Sequence, residues 1–340
     1  MLSKIFSFLS KDVAIDLGTA NTLFYLKGEG IVLNEPTVVV LDKNSNKVLY
    51  VGLAAKQMMG KTPPHMEVIR PLKDGVISDF ETTKEMIKYF ILKVLKRKRL
   101  IKPKIAVCVP AGITQVEKKA VIDSGLQAGG REILLIEEPM AAAIGAGLDI
   151  TAPSGNLIVD IGGGTTEVAV ISLSSVAYSE SVRIAGDEAN EAIMDYLKKK
   201  YNLFVGENSA ELVKIAIGCA YPLEEELTYD VAGRDMVTGI PRNITVTSEE
   251  IREALKEPVN EIVKSVRRAL EKTPPELSAD IYDKGVFLTG GGALLKGLDK
   301  LISKETGLKV EVTESPLTDV AKGTGIALEN YSIYRDVFIS

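Results

Sequence analysis

The chain has 340 residues, 46% hydrophobic and 26% charged, which suits two or three globular domains with real cores and excludes a disordered chain. No run of about 18 uncharged apolar residues occurs, so no helix is expected to cross a bilayer. The net charge of −5 argues against a nucleic-acid partner. A single histidine, His65 beside Pro63 and Pro64, excludes histidine metal clusters and argues against a serine–histidine–aspartate triad. Cys108 and Cys219 stand far apart and read as small buried hydrophobes in a reducing compartment. Chemistry in this chain must therefore rest on carboxylates, hydroxyls and backbone amides, with or without a hard cation.

Residues 1–11 place Leu2, Ile5, Phe6, Phe8 and Leu9 on one face of a helix, with serines and lysines on the remainder. Two readings of this amphipathic helix stand open, docking on the protein's own core or lying in a membrane interface. From Val13 to Leu26 the sequence reads strand, Asp16, Gly18-Thr19-Ala20-Asn21, strand, a β-hairpin with the aspartate at the entry to its turn. A helix is expected over Glu81–Lys98, a strand over Lys104–Pro110, a helix over Gln115–Ala128 and a strand over Ile133–Glu137. Pro139 then opens an alanine-rich helix to Gly147, Pro being tolerated in the first turn. From Leu157 to Ile171 the first pattern returns, with Asp160 followed by Gly162-Gly163-Gly164-Thr165. Helices are expected over Glu188–Lys200, Ser209–Ile217, Glu249–Leu255 and Val259–Lys272. A third glycine turn, Gly290-Gly291-Gly292, leads from a strand towards a helix beginning near Ala293. The alternation is that of an α/β fold, and the repeated hairpin is that of a duplicated domain. Asn34–Pro71 and Asp187–Arg252 interrupt it and read as inserted subdomains.

Each glycine turn alone is weak evidence, since such turns serve ordinary hairpins. Paired at equivalent places of a duplicated fold, they could grip a polyphosphate from both sides through clustered amide donors. Asp16 and Asp160 could then hold Mg2+, which keeps several waters and takes few direct protein ligands. Neither a G-x-x-x-x-G-K-[ST] loop nor G-x-G-x-x-G is present. Glu138, at a strand end and a helix cap, could orient a water for attack on a phosphate or serve only as a cap acid favoured by the helix dipole. Asp187, after Gly186, reads as a helix cap. Glu211 and Lys214, three apart on a helix, read either as cleft residues or as a surface ion pair.

Ile15–Thr22, Glu138–Gly145, Val159–Glu167 and Leu288–Leu295 resemble the signature segments of the actin, Hsp70 and sugar-kinase superfamily. Gly30–Pro36, Ile69–Val76 and Glu271–Leu277 are similar to the MreB family of bacterial actin homologues, so the likeness spans nearly the whole chain. The resemblance implies an actin-like ATPase fold, two lobes each built on a duplicated ribonuclease-H-like core with small inserted subdomains. The implied division is residues 12–39, 73–152 and 323–340 for subdomain IA and 40–72 for IB. Residues 153–188 and 253–322 form IIA, and 189–252 form IIB.

It implies ATP or ADP with Mg2+ held by Asp16 and Asp160. Phosphates would lie against Gly18, Thr19, Ala20, Asn21, Gly162, Gly163, Gly164 and Thr165. Glu138 would position the hydrolytic water, assisted by Thr165. Gly290, Gly291 and Gly292 would floor the adenosine, and Glu211 and Lys214 would reach its ribose or base. It also implies membrane contact through Leu2, Ile5, Phe6 and Leu9, and through Leu100 and Ile101 at the end of the basic run Lys96–Arg99.

The expectation is a cytoplasmic ATPase of slow turnover, bound peripherally to the cytoplasmic membrane. It would polymerise into double, antiparallel protofilaments and work with membrane proteins of the cell-wall elongation machinery to maintain rod shape. A soluble Hsp70-like ATPase or a small-molecule kinase is the alternative. The first is disfavoured because no substrate-binding domain follows the third glycine turn, and the second because no acceptor pocket with a base is evident.

Overall fold

The computed structural model describes residues 12–95 and 102–339. Two large sheets organise it. The first has six strands in the order Phe338–Ile339, Glu132–Glu137, Lys104–Val109, Val13–Leu17, Asn21–Leu26, Gly30–Pro36. The second has five in the order Val310–Val312, Val286–Thr289, Asn156–Ile161, Thr166–Ser172, Ser175–Val182. In each, the strand bearing the aspartate pairs antiparallel with the next strand and parallel with a later one. Apart from the antiparallel edge strand Phe338–Ile339, the two orders are the same, so the duplication read from the repeated hairpin is a duplication of whole sheets.

These strands form where the sequence concentrates β-branched and aliphatic residues with both faces covered. Asn156–Ile161 is buried along its whole length, as a strand between two helical layers must be. The first core gathers Ile15, Phe24, Phe90 and Val107, and the second Leu157, Val170, Ile193 and Leu288. A third cluster lies between the lobes, on the buried helix Glu138–Gly145. That helix packs on Asp319–Glu329 so closely that a Cβ on Gly145 would stand 1.9 Å from the Asp319 carbonyl oxygen. One on Gly323 would stand 1.8 Å from that of Ala141. Small residues on both helices let the backbones touch.

Two small sheets sit apart from the large ones. Val39–Asp42 lies between Lys47–Val51 and Met66–Ile69, and Thr228–Asp235 lies between Leu203–Phe204 and Pro241–Thr247. Gly30–Pro36 stays in the first large sheet, so the separate sheet starts at Val39 and not at Asn34 as the patterning suggested. The expected helices form as Phe80–Leu95, Gln115–Gln127, Gly186–Tyr201, Glu207–Ile217, Ser248–Ala254 and Lys256–Lys272. After the third glycine turn the chain makes a single 3-10 stretch, Gly291–Leu294. It breaks at Gly297 and only then enters the helix Leu298–Thr306. No described helix is long and apolar enough to cross a membrane. The predicted membrane residues Leu2, Ile5, Phe6, Leu9, Leu100 and Ile101 lie outside the described residues.

Candidate functional site

The two aspartate hairpins present their turns to each other across one cleft of about 460 Å³. Its lining includes Asp16, Gly18, Thr19, Ala20 and Asn21 from the first lobe, and Asp160, Gly162, Gly163 and Thr165 from the second. Glu138, Glu211, Lys214, Gly290, Gly291 and Gly292 complete the set that the sequence selected. Gly164 is the exception. It does not line the cleft but packs on the Asp74 backbone and Thr19 Oγ1, each 3.0 Å from where its Cβ would be.

The turns are braced by hydroxyls and amides from neighbouring segments. Thr37 Oγ1 donates to the Gly18 carbonyl at 2.7 Å, and the Asp187 amide donates to the Gly163 carbonyl at 2.8 Å. The lobes touch here, since a Cβ on Gly163 would lie 2.7 Å from that of Ala20. Sequence reasoning missed a third element, the hairpin Leu72–Lys73 with Val76–Ile77. Its turn residues Asp74 and Gly75 both have positive φ, and the Gly75 amide donates to Thr19 Oγ1 at 3.1 Å. The Asp-Gly pair was a readable turn signal, but its place against the cleft was not. Asn190 was also missed. It is 3% exposed, lines the cleft and leaves its Oδ1 without a partner among the described residues.

The electrostatics are those of a negative pocket. Burial, more than its thiol partner Cys108, sets Asp16 and pushes its carboxyl up to about 6. Burial, then the charges of Asp16, Glu167 and Asp319, push Asp160 up to about 8. Glu138 is held well above the usual carboxylate range by burial and by Glu167, Asp160 and Asp16. Cys108 is more than a core filler, for its thiol donates to Asp16 Oδ1 at 3.2 Å.

Like charges gathered in a desolvated pocket favour a bound cation, and carboxylate oxygens are the hard donors that Mg2+ takes. Among the described residues no three acidic, histidine or cysteine groups come close enough to ligate a metal together.

Other expectations need correction. Glu138 is the first residue of its helix and Glu137 its cap, while Asp187 lies inside the helix that Ala185 caps. Glu211 and Lys214 do not pair with each other. Glu211 binds Lys56 of the first lobe at 2.7 Å, and Lys214 Nζ donates to the Gly186 carbonyl at 2.7 Å. The clash that requires glycine at 290 and 292 is with the protein. Side chains there would strike Asp160 Oδ1 and Ile161 Cγ2, at 2.4 and 2.2 Å. Gly291 alone has room, its nearest neighbour being Leu317 Cδ2 at 3.4 Å.

The family model described as "MreB/Mbl protein" matches residues 10–336. The cell shape-determining protein MreB of Escherichia coli is 53% identical over 334 residues, covering 97% of this chain and 96% of that one. MreB5 of Spiroplasma citri has been solved bound to ADP and to AMPPNP. The ADP structure is 34% identical, with a TM-score of 0.91 over 96% of this chain and 98% of that one. A MamK double helical filament shares the fold, with a TM-score of 0.80 and 21% identity over 94% of this chain and 99% of that one.

Proposed function

The chain belongs to the MreB/Mbl family of actin-like, cell shape-determining proteins, and from that premise we propose that it is an ATPase whose hydrolysis times the life of a filament. The observation that carries the reading is the meeting of two equivalent aspartate turns across one cleft with Glu138 at its wall. A nucleoside triphosphate there lies with its phosphates between Gly18–Asn21 and Gly162–Thr165, where glycines let the backbone and its amide donors come close. Asp16 and Asp160 would hold Mg2+, which would supply positive charge against the phosphates in a site whose turns contain no lysine. Gly290–Gly292 and the 3-10 stretch after them floor the nucleoside, with Glu211 and Lys214 at its far side. The ADP and AMPPNP bound by the Spiroplasma protein support this pose.

Glu138 and Thr165 stand on opposite lobes and orient the water that attacks the terminal phosphorus. The bond to the bridging oxygen breaks, leaving ADP and inorganic phosphate. The test is Glu138→Gln. Mg-ATP binding is retained, while hydrolysis within filaments falls by about 100-fold. An undiminished rate contradicts the role.

Closure around ATP aligns the lobes for contact with further copies, and hydrolysis loosens those contacts. A homopolymer, in double antiparallel protofilaments, is the assembly we infer, and the filament formed by MamK supports polymerisation. Residues 1–11 and the segment carrying Leu100 and Ile101 bind the cytoplasmic face of the membrane. A few apolar side chains at about 1.5–3 kcal/mol each, with basic residues adding about 1 kcal/mol each, make a weak anchor for one subunit. Repetition along a filament makes it strong. Bound in this way the filament guides the cell-wall elongation machinery. A chaperone-like ATPase or a small-molecule kinase is not favoured, because the family match spans nearly the whole chain.

A further inference from the structure

Glu167 is a buried carboxylate that the scheme above leaves without a role. It lies two residues beyond Thr165, in the strand Thr166–Ser172, and is 1% exposed. Ser181 Oγ, on the neighbouring strand, donates to its Oε1 at 2.5 Å. The amide of Ala111 donates to its Oε2 at 3.2 Å. Ser181 belongs to the same sheet as Glu167, whereas Ala111 belongs to the other lobe, in the turn that follows Lys104–Val109.

That turn is joined to the catalytic edge by register. Val109 pairs in parallel with Glu137, the residue before Glu138. The Glu167–Ala111 bond thus ties the strand end that leads into Glu138 to the strand that begins just after Thr165. Burying a carboxylate is costly, and an apolar residue would fill the same space without that cost. What the carboxyl group adds is reach, one oxygen on each lobe.

We propose that Glu167 is a positioning residue for hydrolysis, a strut that sets the spacing between Glu138 on one lobe and Thr165 on the other. The inference rests on the assignment of Glu138 to the attacking water. When the cleft opens, Ala111 leaves with the first lobe, the strut parts, and the two groups that orient the water fall out of step. Hydrolysis is thereby confined to the closed form.

The test uses the full chain with Mg-ATP and separates reach from charge. Glu167→Ala removes the strut, and Glu167→Asp keeps the charge but is one methylene short of both partners. Glu167→Gln keeps the reach, its amide oxygen accepting from Ala111 and its NH2 donating to Ser181 Oγ. Hydrolysis per assembled subunit falls about tenfold or more in the Ala and Asp variants, since a small misplacement suffices. The Gln variant restores most of that loss. Mg-ATP affinity, read by competition with a fluorescent ATP analogue, stays within about threefold throughout.

The strut is overturned if Ala and Asp hydrolyse at the wild-type rate, or if rate and affinity fall together. It is equally overturned if Asp is active and Gln is not, which would make charge the cause. Glu138→Gln, measured alongside, separates the two levels. A slow Glu138→Gln beside a normal Glu167→Ala removes the strut alone, whereas a wild-type rate in Glu138→Gln removes the water-positioning role on which the strut depends.

Discussion

Gly290 has φ +79°, and a Cβ there would lie 2.4 Å from both Asp160 Oδ1 and the Ile161 carbonyl oxygen. Gly290→Ala therefore meets backbone strain and displaces the aspartate assigned to the cation in one step. We expect about 1–3 kcal/mol of lost stability, checked by urea denaturation, and a Mg2+ requirement for nucleotide binding shifted to higher concentration. At this scale the sequence was informative where a residue type has few uses. Paired glycine turns after aspartates pointed to the cleft, and the residues they nominated line it, with Gly164 the exception. It was uninformative where a common residue is put to uncommon use. Nothing in the sequence marks Cys108 as a donor to Asp16 or Asn190 as a cleft residue, because both roles depend on what strand pairing and helix packing bring near.

Among the elements, the hairpin of Thr228–Asp235 and Pro241–Thr247 turns on a single carboxylate. Asp235 Oδ1 accepts the amides of Val237 and Thr238, both at 2.9 Å, and its Oδ2 meets Arg242 at 3.0 Å. The Thr238 amide first, then Arg242 and the Val237 amide, hold the carboxyl at about 2 against an ordinary 3.8. Because the folded value is the lower one, the stabilisation is complete above pH 3.8 and is lost as pH falls through about 2. The stability gap between the native protein and Asp235→Asn should be constant from neutral pH down to about 4 and then shrink, as urea midpoints across that range would report.

Helices with apolar periodicity and end signals were legible. Thr114 with Glu117 and Thr247 with Glu250 form the capping boxes that start two of them. The helix Asp319–Glu329 was not read at all. Gly323 and Gly325 argue locally against a helix, and only tertiary packing explains them, Gly323 on the Ala141 carbonyl of Glu138–Gly145 and Gly325 on the ring of Tyr25.

Across the whole molecule, two basic residues of the first lobe reach three acids of the second. Arg70 pairs with Asp187 at 3.1 Å and also with Glu207, while Lys56 pairs with Glu211. Asp187 and Glu211 line the cleft, so these pairs fasten its rim. The residues involved are about 20–30% exposed, and partly exposed pairs contribute about 0–1 kcal/mol each. The fastening is therefore adjustable and weakened by salt. Arg70→Ala should leave the fold intact and speed nucleotide release about threefold to tenfold, by up to the worth of two such pairs, as stopped-flow release of a fluorescent nucleotide would show.

The duplicated architecture was legible because each copy kept its aspartate turn. The fastening was not, because it joins Lys56 and Arg70 to acids on the helices Gly186–Tyr201 and Glu207–Ile217, far off in sequence and brought near only by the fold. In the proposed function, two matched turns close on one ATP, and closure prepares the subunit to join others on a membrane. Electron microscopy of the full chain with Mg-ATP and anionic vesicles tests that most directly. Paired filaments lying on the lipid with Mg-ATP, and bare vesicles without nucleotide, are the expected result. Filaments that form equally well without nucleotide, or none under any condition, would contradict it.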